Sequence, residues 1–170
     1  MQRRTDVREV VDRMLAADKV LVGEADWGPL RGDKRTLRWR KPCAIGGEVT
    51  EMEVEVIAYP DEGESKFRIV LIYQKAVWRL DHVLNESHVN SLNRPDHLPS
   101  SPINDYHYHA WSDNRRFATT MALPSLLKNA NILPVNIRGF ETAFRWFCGE
   151  TKITVASLDV PLLPKRTTLL

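Results

Sequence analysis

The five histidines of this 170-residue chain all lie in one short window. They are His82, His88, His97, His107 and His109. Random placement would scatter them along the chain, so we expect a functional site, if there is one, in this window. Imidazole exchanges protons near neutral pH and is also a common metal ligand, so the cluster suits acid–base catalysis or metal binding.

Two predicted strands flank this window and bring polar side chains to one place. His107 and His109 are two residues apart in a predicted strand, which puts both side chains on one face. Arg79 and Asp81 share a face of an earlier predicted strand in the same way. If the two strands are neighbours in a sheet, the four side chains converge, and the loop between the strands carries His88 over them. We therefore predict a catalytic group formed by these five residues.

In one interpretation the group works without a metal, as an acid–base pair that transfers a phosphoryl group. Of His107 and His109, one imidazole takes a proton and the other gives one, because imidazole titrates near neutral pH. Arg79 would stabilise charge on the phosphate, and Asp81 would fix the tautomer of a histidine ring.

In a second interpretation, His107 and His109 bind a divalent metal that activates water. The remaining ligands would come from Asp81, His82 or His88. A third interpretation is structural, because a His-x-His pair on a strand is often a surface or hydrogen-bonded feature, and Arg79 and Asp81 can form a salt bridge at a sheet edge. The residues alone leave all three open, and no metal or other cofactor is assigned.

Residues 31–41 form a basic segment, with six Lys or Arg side chains against one aspartate. Alternation places Arg38 and Arg40 on one face of a strand and Trp39 on the other. Positive charge beside an aromatic ring suits a nucleic-acid backbone and a stacked base, so these three are candidate nucleic-acid contacts. The alternative, which we favour, is that the arginines pair across the sheet with a row of glutamates: Glu51, Glu53 and Glu55.

Arg115 and Arg116 follow the predicted histidine strand, after a turn at residues 112–114. Both side chains are further candidates for contact with a nucleic-acid phosphate. The alternative is that residues 113–116 are simply the tip of a hairpin.

The elements that must position these residues indicate an α+β fold: a mostly antiparallel sheet of about five or six strands with an N-terminal and a C-terminal helix packed on it. Strands are predicted at residues 34–41, 50–59, 67–73, 76–81, 105–111 and 115–121. Helices are predicted at residues 5–18, with Thr5 as N-cap, and at residues 138–148, with Gly149 as C-cap. Residues 82–104 form a long polar loop, and such loops are often functional.

The composition is that of one globular domain, with 43% hydrophobic and 27% charged residues. We expect residues 1–155 to form that domain and residues 156–170 to be a C-terminal tail or surface segment. The sequence has no apolar run of about 20 residues and no apolar signal segment at its start, so we expect no membrane and a cytoplasmic location. Cys43 and Cys148 are expected to be reduced thiols. The net charge of +2 does not by itself indicate a partner.

The order of the motifs resembles that in a group of small uncharacterised bacterial proteins found near mobile elements. The likeness covers residues 66–152 and rests on Trp78-Arg79-Leu80-Asp81, on His88 and Asn90 in the loop, on Tyr106-His107-Tyr108-His109 and on the C-terminal aromatic helix. Asn93-Arg94-Pro95 stands here in place of the Asn-Pro of that group. A looser similarity, through the R-x-D strand and the clustered histidines, is to TumE-type toxins of bacterial toxin–antitoxin pairs, which implies action on RNA or another nucleotide substrate.

The leading hypothesis is therefore a small, toxin-like ribonuclease from a mobile element, with a cognate antitoxin as a possible partner. The alternative, from a different class, is a non-enzymatic phage or mobile-element inhibitor that binds a host protein or nucleic acid. The enzyme hypothesis predicts a concave site in which the imidazoles of His107 and His109 are both exposed. The inhibitor predicts a histidine face filled by neighbouring residues, with no open pocket around it.

Overall fold

The structure is a computed structural model that describes residues 5–165, apart from the side chain of Lys34. Its strands are β1 (Lys19–Leu21), β2 (Gly28–Leu30), β3 (Asp33–Ile45), β4 (Glu48–Ala58), β5 (Phe67–Tyr73), β6 (Lys75–His82), β7 (His107–His109), β8 (Asn131–Ile132) and β9 (Ile153–Thr154). Its α-helices are α1 (Val7–Ala16), α2 (Trp111–Asn114) and α3 (Phe140–Glu150). Short 3-10 helices lie at Gly63–Ser65, Arg115–Phe117 and Ser157–Asp159.

All nine strands belong to one sheet, in the order β8-β7-β6-β5-β4-β3-β1-β9, with β2 also paired to β3. Every pairing is antiparallel except that of β1 with β9. The predicted α+β fold with a mostly antiparallel sheet is confirmed, but the predicted count of five or six strands is too low. The additional strands β1, β2, β8 and β9 have only two or three residues each, which is too short for an alternating pattern to be recognised.

The core lies on one face of the sheet, where both long helices pack. The strand register aligns Trp39, Val56, Ile69 and Leu80 across four neighbouring strands. Residues of α1 and α3 belong to the same buried cluster. Removing large apolar side chains from water, at about 1.5–3 kcal/mol each, is the main force that holds the helices there.

The opposite face of the sheet carries two rows of mostly polar residues, each crossing five strands from β3 to β7. One row is Arg40, Glu55, Val70, Arg79 and His109, and the other is Arg38, Ile57, Arg68, Asp81 and His107. Directly paired residues on neighbouring strands share a face. The register therefore brings the two basic residues of β3 and the predicted catalytic residues of β6 and β7 to the same side.

Both predicted long helices are present, with shifted ends. Helix α1 begins at Val7, slightly later than expected, because Asp6 rather than Thr5 is the N-cap and accepts a hydrogen bond from the Arg8 backbone at 2.9 Å. Helix α3 extends through Gly149, and Thr151 is its C-cap. The Thr151 hydroxyl donates to the Phe147 carbonyl at 2.8 Å, so a side chain closes the helix end and the expected glycine cap is not needed.

The predictions for residues 105–121 require correction. Strand β7 ends at His109, and Trp111 starts a short helix instead of ending the predicted strand. The residues predicted as a returning strand, 115–121, begin as a 3-10 helix. Contacts distant in sequence account for this: the Trp111 indole donates to Asp12 at 2.7 Å, and Asn114 donates to the Asn129 carbonyl at 2.8 Å.

The C-terminal segment lies against the rest of the protein over its described part. Lys41 forms an ion pair with Asp159 at 2.7 Å, and the Trp27 indole donates to the Leu162 carbonyl at 3.0 Å. The rest of the predicted tail, residues 166–170, and residues 1–4 lie outside the described residues.

Within residues 5–165, no helix combines the length and the apolar character that crossing a bilayer requires.

Candidate active site

Asp81 lies at the centre of the polar group on the face of the sheet opposite the core. Its side chain is 1% exposed. Its Oδ2 atom lies 2.7 Å from Arg79 Nε, 3.2 Å from His109 Nε2 and 3.4 Å from His107 Nε2. These partners are close because Asp81 pairs with His107, and Arg79 pairs with His109, between β6 and β7. The predicted adjacency of the two strands is thus confirmed.

Arg68, which the sequence did not indicate, is a further neighbour of Asp81. Its Nε atom lies 2.9 Å from Asp81 Oδ1. The contact is electrostatic, since neither atom has a hydrogen-bond partner among the described residues. Burial raises the pKa of Asp81, but the His107 hydrogen bond and the Arg79 charge outweigh it and hold that pKa well below its usual range. Asp81 is therefore an ionised carboxylate surrounded by cations.

The buried rings of His107 and His109 have opposite protonation tendencies. Burial is the largest single influence and lowers the pKa of His107, but the hydrogen bonds to Asp81 and to the Asp105 carbonyl and the charge of Asp81 together outweigh it, so the pKa is raised. Burial dominates at His109 and lowers its pKa to about 4. A neutral His109 that donates from Nδ1 accepts at Nε2 from Arg79 Nη2, which is 2.8 Å away. The 3.2 Å approach of His109 to Asp81 is consequently not an ion pair.

Three histidines share one arrangement: a backbone carbonyl holds one nitrogen of each ring. The distances are 2.9 Å from His107 Nδ1 to Asp105 O, 3.1 Å from His109 Nδ1 to Asn129 O, and 3.0 Å from His88 Nε2 to Lys128 O. Because a carbonyl only accepts hydrogen bonds, each of these nitrogens carries the proton. Ligand atoms of the three rings lie within 4.8 Å of one another, so His88, His107 and His109 could hold a metal ion.

Asparagine side chains hold the loop that carries His88 in place. Asn90 donates to the Pro99 and Ala130 carbonyls, both at 3.0 Å, and accepts from the Ala130 backbone at 2.6 Å. The buried Asn129 accepts from the backbone and the hydroxyl of Ser91. The polar loop was recognised in the sequence, but Ala130 is 40 residues from Asn90 and Ser91 is 38 residues from Asn129, so no local pattern reveals these contacts.

A pocket of about 320 Å³ opens beside the cluster. Its lining residues are Arg79, His88, Val89, Ser91, Leu126, Leu127 and Lys128. Arg79 and Lys128 are cationic residues of this lining, which favours an anionic ligand. A larger cavity, of about 530 Å³, lies around Trp27 and Asp159 and shares no lining residue with the cluster.

The burial of the histidines and the pocket beside them each agree with a different hypothesis. His107 and His109 are 2% and 0% exposed, so these rings cannot directly serve a substrate as an open acid–base pair. That burial is what the inhibitor hypothesis predicts. The open pocket, with Arg79 and the half-buried His88 in its wall, is what the enzyme hypothesis predicts.

The remaining histidines lie apart from the cluster. His82 is on the core face, stacked between Phe67 and Tyr106 with ring centroids 4.4 and 3.6 Å away. It therefore cannot complete a metal site with the residues of the opposite face. His97 is exposed and lies 2.8 Å from Asp113.

The candidate nucleic-acid residues of β3 are largely engaged within the protein. Trp39 is 5% exposed and packs edge-on against Phe144, so its ring cannot stack on a base, which corrects that prediction. Arg40 lies 2.6 Å from Glu55 and 3.3 Å from Glu53, and Arg38 lies 4.0 Å from Glu55. The favoured alternative, in which the arginines pair with glutamates across the sheet, is confirmed for these residues.

Arg115 and Arg116 also have partners in the protein. Arg115 forms an ion pair with Asp12 of α1 at 2.8 Å, and Arg116 donates to the Asn93 carbonyl. The first contact joins the segment after β7 to the N-terminal helix, and the second joins it to the long loop. Both residues lie outside the pocket wall that holds His88.

Comparisons of the chain with protein-family models, with curated proteins and with solved structures found no match. The function is therefore inferred from the chemistry of the site.

Proposed function

We propose that this protein is a toxin-like enzyme of the cytoplasm that cleaves phosphodiester bonds in RNA or another nucleic acid. The observation that carries the proposal is the pocket with basic side chains in its wall, directly beside a buried cluster of histidines around Asp81. The motif-level resemblance to mobile-element proteins and TumE-type toxins favours the same substrate class. A cognate antitoxin is the partner that this role implies.

The proposed role of each residue depends on whether a phosphate bound in the pocket can contact it. Arg79 and Lys128 contact its non-bridging oxygens and stabilise the charge that builds up during attack. Asp81 does not line the pocket and acts as a positioning residue, because its Oδ2 atom fixes the guanidinium of Arg79 at 2.7 Å.

The bond changes are those of an RNA transesterification. The ribose 2′ oxygen forms a bond to phosphorus while the bond from phosphorus to the 5′ oxygen breaks. The proton of the 2′ hydroxyl passes to a base supplied by the histidine cluster, and the departing 5′ oxygen takes a proton from water at the pocket mouth.

A second candidate function, a non-enzymatic inhibitor that binds a host protein or nucleic acid, is supported by the burial of His107 and His109. In that case the cluster around Asp81 only stabilises the sheet, and the pocket is a contact surface. The two candidates differ in whether the purified protein changes the covalent structure of RNA.

The test is incubation of purified protein with end-labelled RNA, followed by denaturing gel electrophoresis. The wild type is compared with Arg79→Met and with the control His97→Ala, which alters an exposed histidine outside the cluster. We expect cleavage by the wild type and the control, and a loss of about 100-fold or more in Arg79→Met, because the phosphate loses a charged partner. No cleavage by the wild type would support the inhibitor, and equal cleavage by all three would indicate a contaminating nuclease.

A further inference from the structure

We propose that His88, His107 and His109 form a binding site for one divalent transition-metal ion of the zinc class. The inference rests on the proposed function for its catalytic meaning, because water bound to the ion would replace a cluster histidine as the base beside the phosphate pocket. Binding of the ion is nevertheless measurable without any catalysis.

The first argument is the tautomer of each ring. Since the carbonyls of Asp105, Asn129 and Lys128 hold one N–H from each histidine, the nitrogens that remain are His107 Nε2, His109 Nε2 and His88 Nδ1. A metal-bound histidine almost always donates a hydrogen bond from its other ring nitrogen to a carbonyl, a carboxylate or water. The backbone therefore arranges all three rings in advance as ligands.

The second argument is distance. The ring centroids are 5.4 Å apart for His88 and His107, 4.7 Å for His88 and His109, and 5.2 Å for His107 and His109. The three rings therefore surround one point, and their ligand atoms lie within 4.8 Å of one another. Zinc lies about 2.0–2.1 Å from histidine nitrogen, so tetrahedral ligands are roughly 3.4 Å apart. Small rotations of the rings bring the set to that spacing.

The third argument is charge. His107 and His109 direct their Nε2 atoms, and His88 its Nδ1 atom, to one buried region, and Asp81 adds a negative charge whose Oδ2 atom is 3.2–3.4 Å from two of these nitrogens. Binding of an ion displaces the Nε2 proton that His107 shares with Asp81. A cation is required to stabilise such a group. In the protein without a metal, Arg79 provides it, through its contacts with His109 at 2.8 Å and with Asp81 at 2.7 Å. A metal ion and the Arg79 guanidinium consequently compete for the same nitrogen.

This competition distinguishes the proposed site from a cluster with a purely structural role. When the ion takes His109 Nε2, the Arg79 side chain is released toward the pocket that it already lines. The set of imidazole nitrogens with a carboxylate nearby and no thiolate is the type that accepts Zn²⁺, Co²⁺ or Ni²⁺.

The experiment measures Zn²⁺ binding by competition with a chromophoric chelator, and Co²⁺ binding by visible absorption, on full-length protein first stripped of metal. The wild type should bind one ion per chain. His88→Ala should weaken binding by at least about 100-fold, because loss of even an outer partner of a metal ligand costs 10–100-fold. His97→Ala, a histidine outside the cluster, should bind as the wild type does.

Arg79→Met is a control for misfolding. This variant should bind Zn²⁺ at least about 10-fold more tightly than the wild type, because the competing guanidinium is removed. A misfolded variant would not gain affinity. Circular dichroism and thermal melting of the metal-free variants establish that each is folded.

The proposal is overturned if folded wild type binds no Zn²⁺ or Co²⁺, or if His88→Ala binds as tightly as the wild type. RNA cleavage that persists in EDTA, by protein free of metal, would overturn the catalytic role of the ion while leaving the proposed function standing. Stoichiometric Zn²⁺ binding without RNA cleavage would support the metal site and exclude the ribonuclease.

Discussion

The backbone carbonyl of Asn129 accepts a hydrogen bond from Nδ1 of His109 at 3.1 Å, and it also accepts one from the Asn114 side chain at 2.8 Å. Both Asn129 and His109 are 0% exposed. One buried peptide group therefore sets the tautomer of the most buried histidine and joins it to the short helix that follows β7.

Replacement of Asn129 by Ala should destabilise the fold by about 2–4 kcal/mol. The side chain accepts from Ser91 and donates to the Asp113 carbonyl at 2.9 Å, and its loss leaves buried polar groups without partners. Urea denaturation followed by circular dichroism measures the change. Asn136→Ala, at an exposed position, is the matched control and should shift the free energy of unfolding by less than about 0.5 kcal/mol.

Asp81→Asn should cost about 3–5 kcal/mol of unfolding free energy, because it removes the buried carboxylate that Arg68, Arg79 and His107 share and leaves the Arg79 charge unbalanced. The control is Glu53→Gln, which breaks a partly exposed pair with Arg40 and should cost less than about 1 kcal/mol. Similar midpoints for the two variants in urea would contradict the central role of Asp81.

Trp39 should act as a core residue and not as a contact for nucleic acid. Trp39→Ala should cost about 3–5 kcal/mol through the cavity left against Phe144. Trp39→Phe keeps most of the packing, and its RNA affinity in fluorescence anisotropy should equal that of the wild type. A folded Trp39→Phe protein with clearly weakened RNA binding would show that this indole contacts RNA after all.

His82 should make the fold sensitive to acid. Burial lowers the pKa of His82, and within residues 5–165 neither ring nitrogen has a hydrogen-bond partner. Below about pH 6.5 the unfolded chain binds a proton that the folded protein excludes. The free energy of unfolding therefore falls as the pH falls, by at most about 1.4 kcal/mol per pH unit from this group.

His82→Phe preserves the stacked shape and removes this titration. Its stability relative to the wild type should rise as the pH is lowered from 8 to 5, measured by urea denaturation at each pH. Parallel pH profiles for the two proteins would contradict the assignment, and His97→Ala, which removes an exposed histidine outside the core, is the comparison variant.

Local periodicity in the sequence was sufficient to predict the long strands and the two long helices. Met52, Val54 and Val56 alternate with glutamates in β4, and all three are fully buried. The same period of two placed Arg79 with Asp81, and His107 with His109, on common faces, so their convergence required only that β6 and β7 be neighbours. The two-residue strands β8 and β9 are too short to show this period and were missed.

Contacts distant in sequence decided the rest. The choice of β7 as the partner of β6, the burial of His107 and His109, and the helical turn at Trp111 all depend on segments that fold over the sheet from elsewhere in the chain. Residue spacing could bring imidazoles to one face, but only the packed structure gave each ring a carbonyl partner and left His88 at the pocket wall. A side chain's exposure and protonation depend on its whole surroundings, and those form only when the chain closes around it.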